Sequence, residues 1–183
     1  MRVISGTAKG RQLKPVPGTG TRPITGRVKS ALFSILAGDV VDARVLDLFA
    51  GTGGVGIEAL SRGARHAVFV DAERQAVNTI LSNLDLTRLK DRATVVRMDV
   101  FQYLRQPPGA GFDYIHIAPP QYQELWSRTL AALDAQPAWL AEDGVAVVQI
   151  FPKEYETQQL ANLELTDTRR YGSTALYFYE RNS

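Results

Sequence analysis

The chain of 183 residues has no cysteine, which excludes disulfides, thiolate metal sites and covalent catalysis through sulfur. Histidine is nearly as scarce: only His66 and His116 are present, neither within one helical turn of the other, so a histidine-rich metal centre is not expected. No apolar run approaches the length of a membrane span, and Met1-Arg2-Val3-Ile4-Ser5-Gly6 lacks the apolar segment of a signal peptide; the expected location is cytoplasmic. Residues 1–38 contain no Asp or Glu. They carry Arg2, Lys9, Arg11, Lys14, Arg22, Arg27 and Lys29, a net charge of +7, against −5 for the rest of the chain. Such asymmetry suits a polyanionic partner, although a solvated basic arm would read the same way.

What remains is ordinary for one folded domain: 45% hydrophobic and 22% charged residues. Residues 1–20 interleave short apolar pieces with glycine and proline and read as a basic hairpin or arm, an appendage ahead of a domain over 21–183. From Ile24, the apolar positions Val28, Ala31, Leu32, Ile35 and Leu36 predict an amphipathic helix, with Pro23 near its start and Gly38 as its stop. Strands and helices then alternate: strand 44–49, helix 55–62, strand 67–70, helix 73–86, strand 93–98, a short helix 100–104, strand 114–117, helix 123–133 and strand 145–151. That order implies βαβ units and a parallel sheet. Leu163 to Tyr171 and Thr174 to Arg181 flank Gly172-Ser173 and predict a closing antiparallel hairpin.

The sharpest segment is Val45-Leu46-Asp47-Leu48-Phe49-Ala50-Gly51-Thr52-Gly53-Gly54-Val55-Gly56, an apolar strand entering a glycine turn and then a helix. Gly51, Gly53 and Gly56 match G-x-G-x-x-G, and Asp71 follows at the end of the second strand, placed to accept from ribose hydroxyls. An NAD-binding fold offers the same pair. Three details favour S-adenosylmethionine. Asp47 precedes the turn, where it suits a cationic amino-acid end and would repel a pyrophosphate. Asp99, with the backbone of Val100 beside it, offers an acceptor for an adenine amine. Ala118-Pro119-Pro120 ends the fourth strand at the carboxyl edge, where open α/β sheets bind ligands. Read blandly, the same residues are strand-end caps and turns.

These residues resemble the class I S-adenosylmethionine-dependent methyltransferases. More narrowly, Arg2-Val3-Ile4-Ser5-Gly6, Thr21-Arg22-Pro23-Ile24-Thr25, the run from Arg27 to Leu36 and Tyr171-Gly172-Ser173-Thr174-Ala175-Leu176 are similar to the bacterial 16S ribosomal RNA guanine-N2 methyltransferases. The resemblance implies a three-layer α/β/α Rossmann-like fold with a seven-stranded, mostly parallel sheet, an antiparallel C-terminal hairpin and a small N-terminal extension. It also implies methyl transfer from S-adenosylmethionine to a guanine amino group in small-subunit rRNA or its assembly intermediate, by a monomer. Asp47, Phe49, Gly51, Gly53, Asp71, Asp99 and Val100 would hold the cofactor; Lys9, Arg11, Lys14, Arg22, Arg27 and Lys29 would meet RNA. Gly26 stands where the family commonly has an acid.

The chemistry is expected at Ala118, Pro119, Pro120, Gln121 and Tyr122. The family places an acid ahead of Pro-Pro, as acceptor for the amine, and an aromatic residue directly after it to stack the base. Here the acid is replaced by Ala118 and the aromatic, Tyr122, comes one residue late. Backbone carbonyls of Ala118 or Pro119, or the Gln121 amide, are the substitutes the sequence offers. An RNA-binding protein with weak or lost catalysis is therefore the alternative, and an NAD-dependent oxidoreductase the weaker one. His116 reads as a satisfied core histidine, Trp126 and Trp139 as helix contacts, and Glu58 as a surface or supporting residue.

Overall fold

The computed structural model describes residues 1–18 and 23–183. Its elements in chain order are α1 (Gly26–Leu36), β1 (Arg44–Leu48), α2 (Gly54–Ser61), β2 (His66–Asp71), α3 (Arg74–Thr87), β3 (Ala93–Arg97), α4 (Val100–Leu104), β4 (Phe112–Ile117), α5 (Leu125–Ala135), β5 (Leu140–Ile150), β6 (Leu163–Tyr171) and β7 (Thr174–Arg181). The seven strands form one sheet in the order β3-β2-β1-β4-β5-β7-β6; β1 to β5 run parallel, while β7 is antiparallel to both β5 and β6.

Strand alternation divides the core. Val45, Phe69, Tyr114, Val147 and Phe178 face a cluster that includes α1 and α2, whereas Leu46, Val70, Ile115, Val148 and Tyr179 face the cluster around α5. Both faces of the central strands are thus buried, which is why they read as nearly continuous apolar runs. The order reverses between β2-β1 and β4-β5, and there the carboxyl ends of β1 and β4 open a crevice, the usual ligand place of such sheets.

Two local expectations shift. Helix α1 begins at Gly26 behind the cap Thr25, whose hydroxyl accepts from the Val28 N–H at 3.2 Å, so Pro23 precedes the helix. Strand β5 begins at Leu140 rather than Val145, through the polar Ala141-Glu142-Asp143, and its pairing with β4 is irregular between Phe112 and Tyr114.

The N-terminal residues form a tight hairpin in which Arg2 pairs with Gln12, but they do not stand apart as an appendage. Val3, Ala8 and Leu13 are buried in the same cluster as α1 and α2. At Gly6, φ is +90° and an added Cβ would lie 1.8 Å from the Ser61 carbonyl oxygen, so only glycine allows the hairpin to approach the end of α2. The expected boundary at residue 20 lies outside the described residues.

Candidate active site

Strand β1 delivers Asp47 and leads into the turn at the head of α2, where Phe49, Gly51 and Gly53 have positive φ. The Gly51 N–H donates to Asp71 Oδ2 at 2.9 Å, and the Glu73 N–H donates to Asp71 Oδ1 at 2.9 Å. The second carboxylate thereby fixes the glycine turn against the end of β2. Gly56 has a different duty: an added Cβ would lie 2.3 Å from the Phe69 ring, so the third glycine lets α2 lie close on the sheet.

Two cavities open at the carboxyl edge. The first, of about 210 Å³, is lined by Asp47, the turn from Phe49 to Thr52, His116, Ala118 and Gln149, and is walled by Met1, Pro15, Val16, Gly18, Pro23 and Ile24. Its arm wall is pinned by the buried Asn83, which donates to the Lys14 and Thr52 carbonyls at 3.1 and 2.9 Å and accepts from the Lys14 N–H at 2.8 Å. The second, of about 90 Å³, is lined by Thr25, Ala118, Pro119, Gln121, Gln149, Phe151, Glu154, Ser173 and Thr174, among others.

Asp47 is 2% exposed and, among the described residues, accepts one hydrogen bond, from the Gly56 N–H at 3.1 Å. Burial pushes the carboxyl up to about 8; the Gly56 N–H opposes the rise and the charge of Asp71 adds to it. A buried acid so poorly compensated in a cavity wall suits a ligand that brings a positive charge. His116, its register partner on β4, is 1% exposed, and burial lowers it to about 4 against the opposing bond to Gln149.

The remaining expected residues are placed as follows. Asp99 caps α4, its Oδ1 accepting from the Phe101 and Gln102 N–H groups at 2.9 and 3.1 Å, and Val100 is the buried first residue of that helix. Asp71, Asp99 and Val100 stand at neighbouring strand ends beyond the lining of the first cavity. Pro120 and Tyr122 line neither cavity. Tyr122 is 68% exposed and stacks on Phe151 with ring centroids 5.8 Å apart, so the aromatic surface inside the second cavity belongs to Phe151. Lys9, Arg11, Lys14 and Arg27 are exposed. Arg22 lies outside the described residues.

Lys29 corrects the sequence reading. It is fully buried and cannot be an RNA contact in this fold; its Nζ lies 3.1 Å from Glu58 Oε1 and donates to the Arg2 carbonyl at 2.8 Å. Glu58 is no surface residue either. It accepts from the Ile4 and Ser5 N–H groups at 2.9 and 3.1 Å and from Arg62 Nε at 2.8 Å, joining the arm, α1 and α2. Sequence reasoning missed Gln149, Phe151 and Glu154. The strand-end position of Gln149 was the available signal, since residues at the carboxyl edge of a parallel sheet face the ligand side.

A seven-stranded sheet of this order, with a glycine turn after β1 and acids at the ends of β1 and β2, defines a class I methyltransferase fold. Within that class the chain belongs to the family described as Conserved hypothetical protein 95, whose model matches residues 1–180. It is similar to YlbH of Bacillus subtilis, provisionally named an rRNA methyltransferase, with 40% identity over 99% of both chains. It is 34% identical to the ribosomal RNA small subunit methyltransferase D of Escherichia coli K12, over 100% of this chain and 91% of that one. The solved structure of yhhF from Escherichia coli, provisionally named a methyltransferase, matches with a TM-score of 0.87 and 32% identity, over 99% and 97% of the two chains.

Proposed function

We propose that the protein methylates the exocyclic N2 of a guanine in small-subunit ribosomal RNA, with S-adenosylmethionine as donor. The observation that carries this reading is the meeting of two cavities at the end of β4, one walled by a buried acid and a glycine turn, the other opening onto the sheet edge. Asp47 fits the ammonium of the donor's amino-acid end, whose positive charge would favour the ionised carboxylate that burial alone disfavours; a dinucleotide's pyrophosphate brings no such charge, which argues against the NAD alternative. When bound, the cofactor supplies a methyl group already activated on a sulfonium. The protein's work is then mainly positioning and exclusion of water. Asp71 retains acceptor capacity for ribose hydroxyls after its two backbone bonds, and Asp99 Oδ2 has no protein partner among the described residues and suits an adenine amine. Phe151 supplies the aromatic lining of the cavity that would receive the target base. The relatives named as rRNA methyltransferases support the substrate class.

The test is mass spectrometry of rRNA nucleosides from cells with and without the gene, followed by mapping of the modified nucleotide and labelled methyl transfer to partly assembled small-subunit RNA. Loss of one N2-methylguanosine on deletion is expected. Ala118 favours a second reading, an RNA-binding protein of this fold without efficient catalysis. Tight cofactor and RNA binding with no transfer to naked rRNA or particles would favour it over the first.

A further inference from the structure

Methylation of an aromatic amine has a requirement that the chain does not meet at position 118. The lone pair of such a nitrogen is delocalised into the ring, and an acceptor for one of its N–H bonds is needed to draw it out of conjugation and aim it. Ala118 has no side-chain acceptor. Among the described residues, three line both cavities: Pro23, Ala118 and Gln149. Of these only Gln149 has a polar side chain.

Gln149 is held in a defined orientation. Its Oε1 lies 2.9 Å from His116 Nε2, and His116 Nδ1 lies 2.5 Å from the Tyr114 hydroxyl. Tyr114 and His116 are buried, so the imidazole is neutral and the phenol keeps its proton. A carbonyl oxygen only accepts, so Nε2 carries the hydrogen and Nδ1 accepts from Tyr114 O–H. The relay runs Tyr114 to His116 to Gln149, and among the described residues Oε1 accepts no second hydrogen bond, which leaves it one lone pair. Of the other carboxylate and carboxamide side chains of the second cavity, Glu154 and Gln121 are both absent from the first, and Gln121 is exposed.

Resting on the proposed RNA methylation, we infer that the Gln149 carboxamide accepts an N–H of the guanine amine and replaces the acceptor missing at Ala118, with His116 as its positioning residue. As the bond from nitrogen to the methyl carbon forms, the carbon–sulfur bond breaks and positive charge passes from sulfur to nitrogen. The surplus proton then leaves the nitrogen for water, because a carboxamide does not take it.

The experiment compares wild type, Gln149→Ala, and Gln149→Ala combined with Ala118→Asp, by labelled methyl transfer to partly assembled small-subunit RNA. Gln149→Ala is expected to lower kcat by about 10²–10³-fold, the usual effect of one preorganised hydrogen bond. Ala118→Asp should restore much of that loss, which a purely structural role for Gln149 would not predict. A second readout is independent of turnover: a short RNA bearing the mapped guanine should bind wild type about threefold to tenfold more tightly than the same RNA with inosine there, without cofactor. Gln149→Ala should lose the preference, and Gln149→Glu should keep it. Wild-type transfer with unchanged kcat in Gln149→Ala, or an unchanged guanine preference, overturns this inference alone. Absence of transfer by wild type overturns the proposed function and this inference with it.

Discussion

Asp47 and His116 stand opposite one another on β1 and β4, and burial disfavours the charged form of each. Their effects on stability have opposite signs. Asp47 titrates near 3.8 when unfolded and about 8 when folded, so within that window the native state holds the extra proton and stability falls as pH rises. His116 titrates near 6.5 unfolded and about 4 folded; there the unfolded state holds the extra proton and stability rises with pH. The two cancel between about 4 and 6.5, leaving from this pair a decline of up to about 1.4 kcal/mol per pH unit between 6.5 and 8. Asp47→Asn, whose amide oxygen still accepts from Gly56, is expected to remove that decline and to uncover the histidine's rise below it. Urea midpoints of the ligand-free protein from about pH 5 to about pH 8.5 measure both limbs, and identical profiles for variant and wild type would contradict the placement of the charge. The place of Asp47 in the wall of the candidate site was legible in the sequence, because an acid before a glycine turn is a pattern. The Gln149–His116 pair was not, since their meeting depends on register between β4 and β5.

At the scale of elements, Glu58 is the joint between the arm, α1 and α2: its partners are Ile4 and Ser5 of the arm, Lys29 of α1 and Arg62 at the end of its own helix. Burial by itself raises its carboxyl, but the Ile4 N–H, Arg62 and Lys29 outweigh that and hold it below the ordinary range. Glu58→Ala strands the buried Lys29 ammonium and two backbone N–H groups, so a loss of about 3–5 kcal/mol is expected in urea unfolding. A change within about 0.5 kcal/mol would mean that the arm is not anchored there. Lys29 was misread, and Glu58 was left between a surface and a supporting role, because a charge count carries no information on burial and their pairing spans α1 and α2. The hairpin of β6 and β7 was legible to the residue, since apolar and β-branched runs bracket a Gly-Ser turn. The first half of β5 was hidden, because Glu142 and Asp143 are exposed and break the apolar pattern by which a strand is recognised.

For the whole molecule, removing Lys29 from the basic surface sharpens what the arm does. Lys9, Arg11 and Lys14 remain exposed on the hairpin, whose continuation through Pro15 to Gly18 walls the first cavity. Arg27 is exposed on the first turn of α1, just past Thr25, which lines the second. Exposed cations therefore stand on both segments that border the candidate site, an arrangement that would guide a phosphate backbone across its mouth. If each of the three arm cations meets one phosphate, replacing all three by Ala should flatten the slope of log Kd against log salt for small-subunit RNA by about 2–3, counting about 0.7–0.9 per contact. Cofactor affinity should hardly change, because none of their side chains lines the first cavity. Lys29→Met is the control that separates charge from structure: it removes one formal charge from α1, beside the arm, and the salt slope should stay at the wild-type value while the urea midpoint falls. A wild-type slope in the triple variant would assign the arm's charge to solubility, and a flattened slope in Lys29→Met would show that the buried cluster opens when RNA binds.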